Sequence, residues 1–310
     1  MKRFYCFLLS LLLVISTLVP SHVEAKYQYS TWSGKAYEEV NDNKATFTKA
    51  QLKKAKKSYV KYSKLDKYGR AGVAIGSVSS DTINNDERAP ISSIKPSGWQ
   101  TVKYAEIVDG LYVYNRCHLL MQKVAAGVQS DKCNSYQNLV TGTRYMNVDG
   151  QLPFEMEIYE FVKNTDAHVL YRVEPVYKGK ELVPRGVHME AYSVEDDGEA
   201  INFNVFCYNV QPGLSINYKN GKVSISKNSE EEMLKAVKNG ATSVKVPEAT
   251  SELSENSGGV HYVLNTHTKK FHIPSCSSCK SISNANKWDG YFLRSDLIKS
   301  GYAACGSCKP

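Results

Sequence analysis

Apolar positions alternate with polar ones, or run on unbroken, in a series of short stretches between residues 64 and 220. They are GRAGVAIGSVS, GLYVYNRCHLL, HVLYRVEPVY, GVHMEAYSVE, AINFNVFCYNV and LSINY, with Gly, Pro, Asp and Asn between them. A period of two and breaker-bounded apolar runs predict β-strands. One stretch breaks the pattern. GTRYMNVDGQLPFEMEIYEFVKNT carries apolar residues at helical spacing behind Pro153, which suits the first turn of a helix because its missing N–H is not needed there. Antiparallel strands with one helical insertion predict an α+β fold, one domain over residues 61–220, rather than an alternating α/β fold.

The flanks read differently. MKR followed by FYCFLLSLLLVISTLVP and VEA has the basic, apolar and small-residue parts of a secretory signal peptide, residues 1–25; an uncleaved N-terminal anchor is the alternative. No later run is long and apolar enough to span a bilayer. Residues 26–60 are Lys-rich and read as a basic N-terminal arm, with Thr48 as the N-cap of an amphipathic helix. Residues 221–259 read as a linker by composition, with a short amphipathic helix in SKNSEEEMLKAVKNG. Residues 260–310 form a small Cys-rich module.

Composition narrows the partners. The formal net charge is +8, and in a secreted protein that favours polyanions such as nucleic acid or an anionic surface, although basic charge also serves solubility alone. Of eight cysteines, Cys6 lies in the signal segment. Cys117, Cys133 and Cys207 are three, an odd number that cannot pair off among themselves.

The chemistry concentrates in NRCH, residues 115–118. Alternation along a strand puts Arg116 and His118 on one face and Asn115 and Cys117 on the other. Cys117 and His118 therefore diverge and do not form a thiolate–imidazole pair; Cys117 fills core. Arg116 offers a fixed fork of donors suited to a phosphate, and a neutral His118 can take a proton from water. Phosphodiester hydrolysis also needs help for the leaving oxygen, which a divalent cation supplies. Oxygen donors downstream include Asn138, Asn147, Glu155, Glu157 and Glu160. Spacing alone does not choose among them, and a lone His on an apolar strand is commonly structural.

The ordered blocks YNRCHLL, NLVTGTRYMNVDGQLPFE, HVLYRVEPVY, RGVHMEAYSVED and INFNVFCYNVQPG, with LDKYGRAGVAIGSVSSD upstream, resemble the DNA/RNA non-specific endonucleases of the ββα-metal type, above all the secreted DNases of streptococci and their Gram-positive relatives. The resemblance covers about residues 60 to 218. It implies a central antiparallel sheet with a ββα-metal motif. It also implies His118 as general base, Arg116 on the phosphate, Asn147 and Glu155 at a magnesium (or manganese) ion, Asn138 in support and Arg88 as a further phosphate contact. Asn115 and Cys117 stand where the wider family has Asp and Gly. The expected substrate is DNA, with RNA as a further candidate, cut to leave 5′-phosphates. The expected setting is extracellular or at the cell surface, as a monomer.

In the last module, FHIPSCSSCK and GYAACGSCKP give two Cys-x2-Cys pairs with His272 alongside. Cys276, Cys279, Cys305 and Cys308 have zinc-site spacing, and in a secreted protein the same four can form two disulfides. The stretch resembles the small Ada-type metal-binding domain, in which Cys276, Cys305 and Cys308 are expected ligands, His272 a possible fourth and Cys279 the doubtful one. A different functional class stays open: a DNA-binding, uptake or adhesion protein on an inactive nuclease scaffold. A nuclease should keep its activity when residues 220–310 are removed, and an adhesin should lose its function.

Overall fold

Strand alternation and helix capping generate the elements in chain order. β1 is Tyr37–Glu39; α1, Lys49–Lys54; β2, Tyr59–Tyr62; β3, Ala74–Val78; β4, Tyr114–His118. Then come α2, Gln122–Ala125; α3, Ser130–Cys133; β5, Leu139–Thr143; α4, Leu152–Asn164; β6, Val169–Val176; β7, Gly186–Ser193; and β8, Asn202–Tyr208. The chain continues with β9, Leu214–Asn217; β10, Lys222–Ile225; α5, Ser229–Lys238; β11, Val260–Asn265; β12, Lys270–His272; β13, Lys287–Phe292; α6, Arg294–Lys299; and β14, Ala303–Ala304. The structure, a computed structural model, describes residues 29–85, 90–128, 130–246 and 260–310. The signal-peptide segment 1–25 lies outside the described residues. Among those described, no helix is long and apolar enough to cross a membrane.

An antiparallel six-stranded sheet in the order β1-β8-β7-β6-β3-β2 is the frame. Its two faces follow from the period of two. On β2, β3 and β6, Val60, Tyr62, Ala74, Val78, Val169, Tyr171 and Val173 point to one face, while Tyr59, Ile75 and Leu170 point to the other. The first face packs on Cys117, Leu119, Leu120, Val124, Ile158 and Val162, and so presses the end of β4, α2 and α4 against the sheet. Each buried Leu or Ile there contributes about 1.5–3 kcal/mol. The second face is covered by Phe47, Leu52 and Ala55 around α1. Thr48 caps that helix in a full capping box with Gln51, as its position predicts.

Two boundaries differ from the sequence reading. The expected basic arm supplies one edge strand of the sheet, β1 beside β8, and the first half of the other, β2 beside β3. Its lysines mask three-residue and four-residue strands too short to show a period. The expected linker likewise contains β10 and α5, and Met233, Ala236 and Val244 pack with Tyr114 and Tyr145 in a second core. Residues 247–259 lie outside the described residues.

The C-terminal module has its own four-stranded sheet, β13-β11-β12-β14, over Tyr262, Leu264, Phe271, Phe292, Leu297 and Tyr302.

Candidate active site and metal centres

β4 pairs with β5 alone, as an antiparallel ribbon in which His118 faces Leu139 and Arg116 faces Thr141. The helical segment behind β5 is not regular. Met146–Gln151 forms a π turn, in which the Leu152 N–H donates to the Asn147 carbonyl, and α4 follows directly. Pro153 gives the reason. It has no N–H for an i→i−4 bond to Asp149, and its ring crowds that carbonyl, so the turn before it widens. The widening decides which side chains share a face. In a regular α-helix Asn147 and Glu155, eight residues apart, would point about 80° away from each other. On backbone geometry alone, the extra residue in the π turn reduces that offset.

His118 is buried, 7% exposed, and its Nε2 lies 2.8 Å from Asn134 Oδ1. With the amide oxygen accepting, Nε2 carries the proton and Nδ1 carries the lone pair. The His118 carbonyl accepts from Gln151 Nε2 at 3.1 Å, which ties the strand to the π turn. Gln151 Oε1 is buried with no hydrogen-bond partner among the described residues. Tyr171 on the sheet donates to the next carbonyl, Leu119 O, at 3.1 Å.

Asn138 is fully buried and entirely engaged. Its Oδ1 accepts from Leu120 N at 2.9 Å, and its Nδ2 donates to the carbonyls of Leu120 and Cys133, each at 3.0 Å. It is a brace for the chain leaving His118. Asn147 is half-buried, and its side-chain amide makes no hydrogen bond to the described residues. Glu155 is 8% exposed. It lies near Cys117, Tyr171 and Cys207: burial first, and then its negative charge, push all three up from their ordinary pKa values. Cys117, Cys133 and Cys207 are all free and buried, and Cys117 fills core as expected.

A groove of about 740 Å³ runs beside the ribbon, lined by Asn115, Arg116, Arg144 and Asn147 together with Trp99, Tyr112 and Tyr114. Asn115 shares this groove with Arg116 instead of joining Cys117 in the core. Arg116 stacks on Trp99, 4.1 Å from the ring centre. Its Nε donates to the Ile94 carbonyl at 2.5 Å and its Nη2 to the Ser92 carbonyl at 2.6 Å. Arg88 lies outside the described residues. Asn134 and Gln151 were not singled out from the sequence. The signal available was that a buried imidazole needs a partner for its second nitrogen.

The metal centres can be tested on these donors. Asn147 brings an uncommitted amide, Glu155 a buried carboxylate, and Gln151 an orphaned oxygen. This is an all-oxygen set of the kind a hydrated magnesium or manganese ion takes. In the C-terminal module, His272, Cys276, Cys305 and Cys308 place one ligand atom each within 4.8 Å of one another. β12 pairs with β14 in parallel, which sets Cys305 beside His272, and Cys305 N donates to Phe271 O at 2.9 Å. His272 Nδ1 is buried without a hydrogen-bond partner among the described residues, and amides of Cys308 and then Ser307 pull the Cys305 thiol down to about 7. One nitrogen and three sulfurs fit tetrahedral zinc. Cys279, in the 3-10 turn after Cys276, is not one of the four; its Sγ is directed at the Ile273 carbonyl at 3.5 Å. All four module cysteines are free thiols.

The family described as DNA/RNA non-specific endonuclease matches residues 48–195. A protein of Streptococcus dysgalactiae subsp. equisimilis described as a deoxyribonuclease is 29% identical over 199 residues. That match covers 53% of this chain and 60% of the relative, so the chain spans well under two thirds of the curated protein it resembles. Among solved structures, NucA from Streptococcus agalactiae, with no metal bound and with magnesium bound, matches with a TM-score of 0.54 and 24% identity. Each covers 63% of this chain and 89% of the other, and shows a shared fold. Residues 48–195, just under half of the chain, thus match the DNA/RNA non-specific endonuclease family.

Proposed function

We propose that the protein is a secreted, divalent-metal-dependent endonuclease that hydrolyses phosphodiester bonds of DNA, and of RNA where strands can enter the groove. The observation that carries this reading is the buried His118 ring, held through Nε2 by Asn134 at 2.8 Å on the strand that also carries Arg116. With Asn134 Oδ1 accepting from Nε2, the basic nitrogen of the ring would be Nδ1, the one suited to take a proton from water. His118 takes the proton of the attacking water. Gln151, through the His118 carbonyl, keeps the strand at its distance from the helix that carries Asn147 and Glu155. Asn147 would hold a magnesium ion, with Glu155 in its water shell. When bound, such an ion supplies charge stabilisation at the phosphoryl group and the departing 3′-oxygen. Attack by water on phosphorus with loss of the 3′-oxygen leaves a 5′-phosphate.

Contacts to phosphate rather than to base edges make cleavage indifferent to sequence and sensitive to salt. Both the streptococcal relatives and the signal-like N-terminus support an extracellular setting. The C-terminal four-ligand site would hold zinc as a structural ion, and the module would dock the enzyme to DNA or the cell surface.

The test is plasmid cleavage in magnesium. His118→Ala should lose activity by about a hundredfold or more, the range expected for a general base, while DNA binding in EDTA persists. Undiminished nicking and linearisation by that variant would overturn the assignment.

A further inference from the structure

We infer that Arg144 is a substrate-binding residue of this groove, whose guanidinium fork takes a backbone phosphate of the bound strand outside the reacting group. The inference rests on the nuclease reading and adds a residue to it.

Arg116 cannot serve as the groove's unencumbered fork. Its Nε and Nη2 are already spent on the carbonyls of Ile94 and Ser92, and its face is stacked on Trp99. It ties the 92–94 loop to β4 and presents only its remaining N–H groups. Other described arginines are also paired: Arg70 with Asp66, Arg172 with Glu190, and Arg185 with Glu181 through two bonds. Arg144 differs. Its Nε is buried with no hydrogen-bond partner among the described residues, and its one ion pair, to the half-exposed Asp109, is stretched to 4.0 Å. An arginine desolvated on one side and left without a bidentate acceptor is costly, unless a ligand completes it.

Its placement fits a nucleic-acid strand. Arg144 is three residues before Asn147 on the same helical segment, so the two are neighbours on one surface, and both line the groove. The guanidinium rests on Gly110, where a Cβ would come within 3.4 Å of Nε and 3.6 Å of Cζ. Gly110 and Leu111 both have positive φ, 83° and 76°, and Tyr112 N donates to Gly110 O at 2.9 Å. That is a γ-turn with its central residue at positive φ, a rare and strained form. It keeps the floor beneath Arg144 flat and lifts Tyr112, 42% exposed, to the groove wall. An aromatic face beside a cation is the arrangement on which bases stack while the backbone is held by charge.

The experiment measures binding and turnover separately. Binding of a labelled DNA duplex is followed by fluorescence anisotropy in EDTA across a salt series, for wild type, Arg144→Gln, Arg144→Lys and, as a charge control on the exposed flank of α4, Lys163→Gln. Losing one phosphate contact should reduce the steepness of log K against log salt by about 0.9 in Arg144→Gln. Arg144→Lys should keep the slope near wild type, and Lys163→Gln should not change it. In plasmid cleavage, KM should rise about tenfold in Arg144→Gln with kcat within about twofold, the sign of lost uniform binding. A wild-type slope and KM in an Arg144→Gln protein that melts normally would overturn the inference. If wild type binds DNA but does not cleave it, the nuclease reading fails, and the salt slope still decides the role of Arg144.

Discussion

Asn138→Ala should unfold the ground on which His118, the proposed general base, stands. The side chain is fully buried and makes three hydrogen bonds to backbone, from Leu120 N and to Leu120 O and Cys133 O, besides a longer one from Nδ2 to Cys133 Sγ at 3.7 Å. Leu120 is itself fully buried, so water cannot replace what is lost there. A buried backbone group left without its partner costs about 1–3 kcal/mol, and three groups, with some relaxation, give about 3–6 kcal/mol. That is a large share of the ~5–15 kcal/mol that holds a typical domain. Urea unfolding followed by tryptophan fluorescence should show the midpoint falling by about 1–2 M for a slope near 3 kcal/mol/M. Activity should fall with it, since Leu119 and Leu120 continue directly from His118. Asn138→Asp sharpens the test. It keeps the acceptor for Leu120 N but turns a carboxylate oxygen toward two carbonyls, so its folded pKa must lie above the unfolded ~3.9. A raised carboxylate pKa means that stability is lost when the group ionises. Relative to wild type, this variant should therefore gain stability as pH falls through its raised pKa toward about 4. A cost below about 1 kcal/mol in the alanine variant, or an aspartate variant indifferent to pH, would refute the reasoning.

Other predictions follow from neighbouring contacts. Asp149 in the π turn accepts from the backbone N–H and hydroxyl groups of both Thr242 and Ser243, so a chain ended at residue 246 should cleave DNA, while one ended at residue 220 should lose most activity and melt earlier. The sequence reading, which expected cleavage to survive loss of 220–310, is changed by this contact. Gly142→Ala would drive a Cβ into Cys117 Sγ and Met146 Cε, and should cost about 1–3 kcal/mol by overpacking. A part of that should be recovered by adding Cys117→Ala, measured in a double-mutant cycle. Purified protein should carry close to one zinc by metal analysis; His272→Ala or Cys308→Ser should reduce that content and Cys279→Ser should not.

The legible parts of this chain are those where a local rule fixes the outcome. Strands β3, β6, β7 and β8 show in the sequence because their side chains meet two different environments at a period of two. Thr48 shows because a cap is a four-residue rule, and Cys117 shows as core because His118 beside it must face the other way. The rest depends on partners distant in sequence. Nothing local marks Asn134 as the partner of His118. The committed fork of Arg116 is visible only once residues 92–94 are folded against it. The zinc-like set separates from its fifth member only in three dimensions, where His272, Cys276, Cys305 and Cys308 bring their ligand atoms together.

The strap from Thr242 to Lys245 shows why the catalytic half of the fold does not end with its strands. On one side Thr242 and Ser243 hold Asp149, two residues beyond Asn147 in the π turn. On the other side Val244 bridges to Val108, Ser243 O accepts from Asp109 N at 2.9 Å, and Lys245 N donates to Ile107 O at 2.8 Å. The next residue along that loop is Gly110, the floor beneath Arg144. One segment therefore fixes both the turn that presents Asn147 and the loop that supports Arg144. A π turn is held open by Pro153 but is not held in place by it, since a missing hydrogen bond restrains nothing. The strap supplies that restraint from outside the helix, with four hydrogen bonds converging on one carboxylate. Asp149→Asn should keep the acceptor oxygen for part of this set and weaken it, whereas Asp149→Ala frees the turn altogether. If Asn147 works only when its turn is fixed, activity should fall in that order, with DNA affinity in EDTA falling less than turnover.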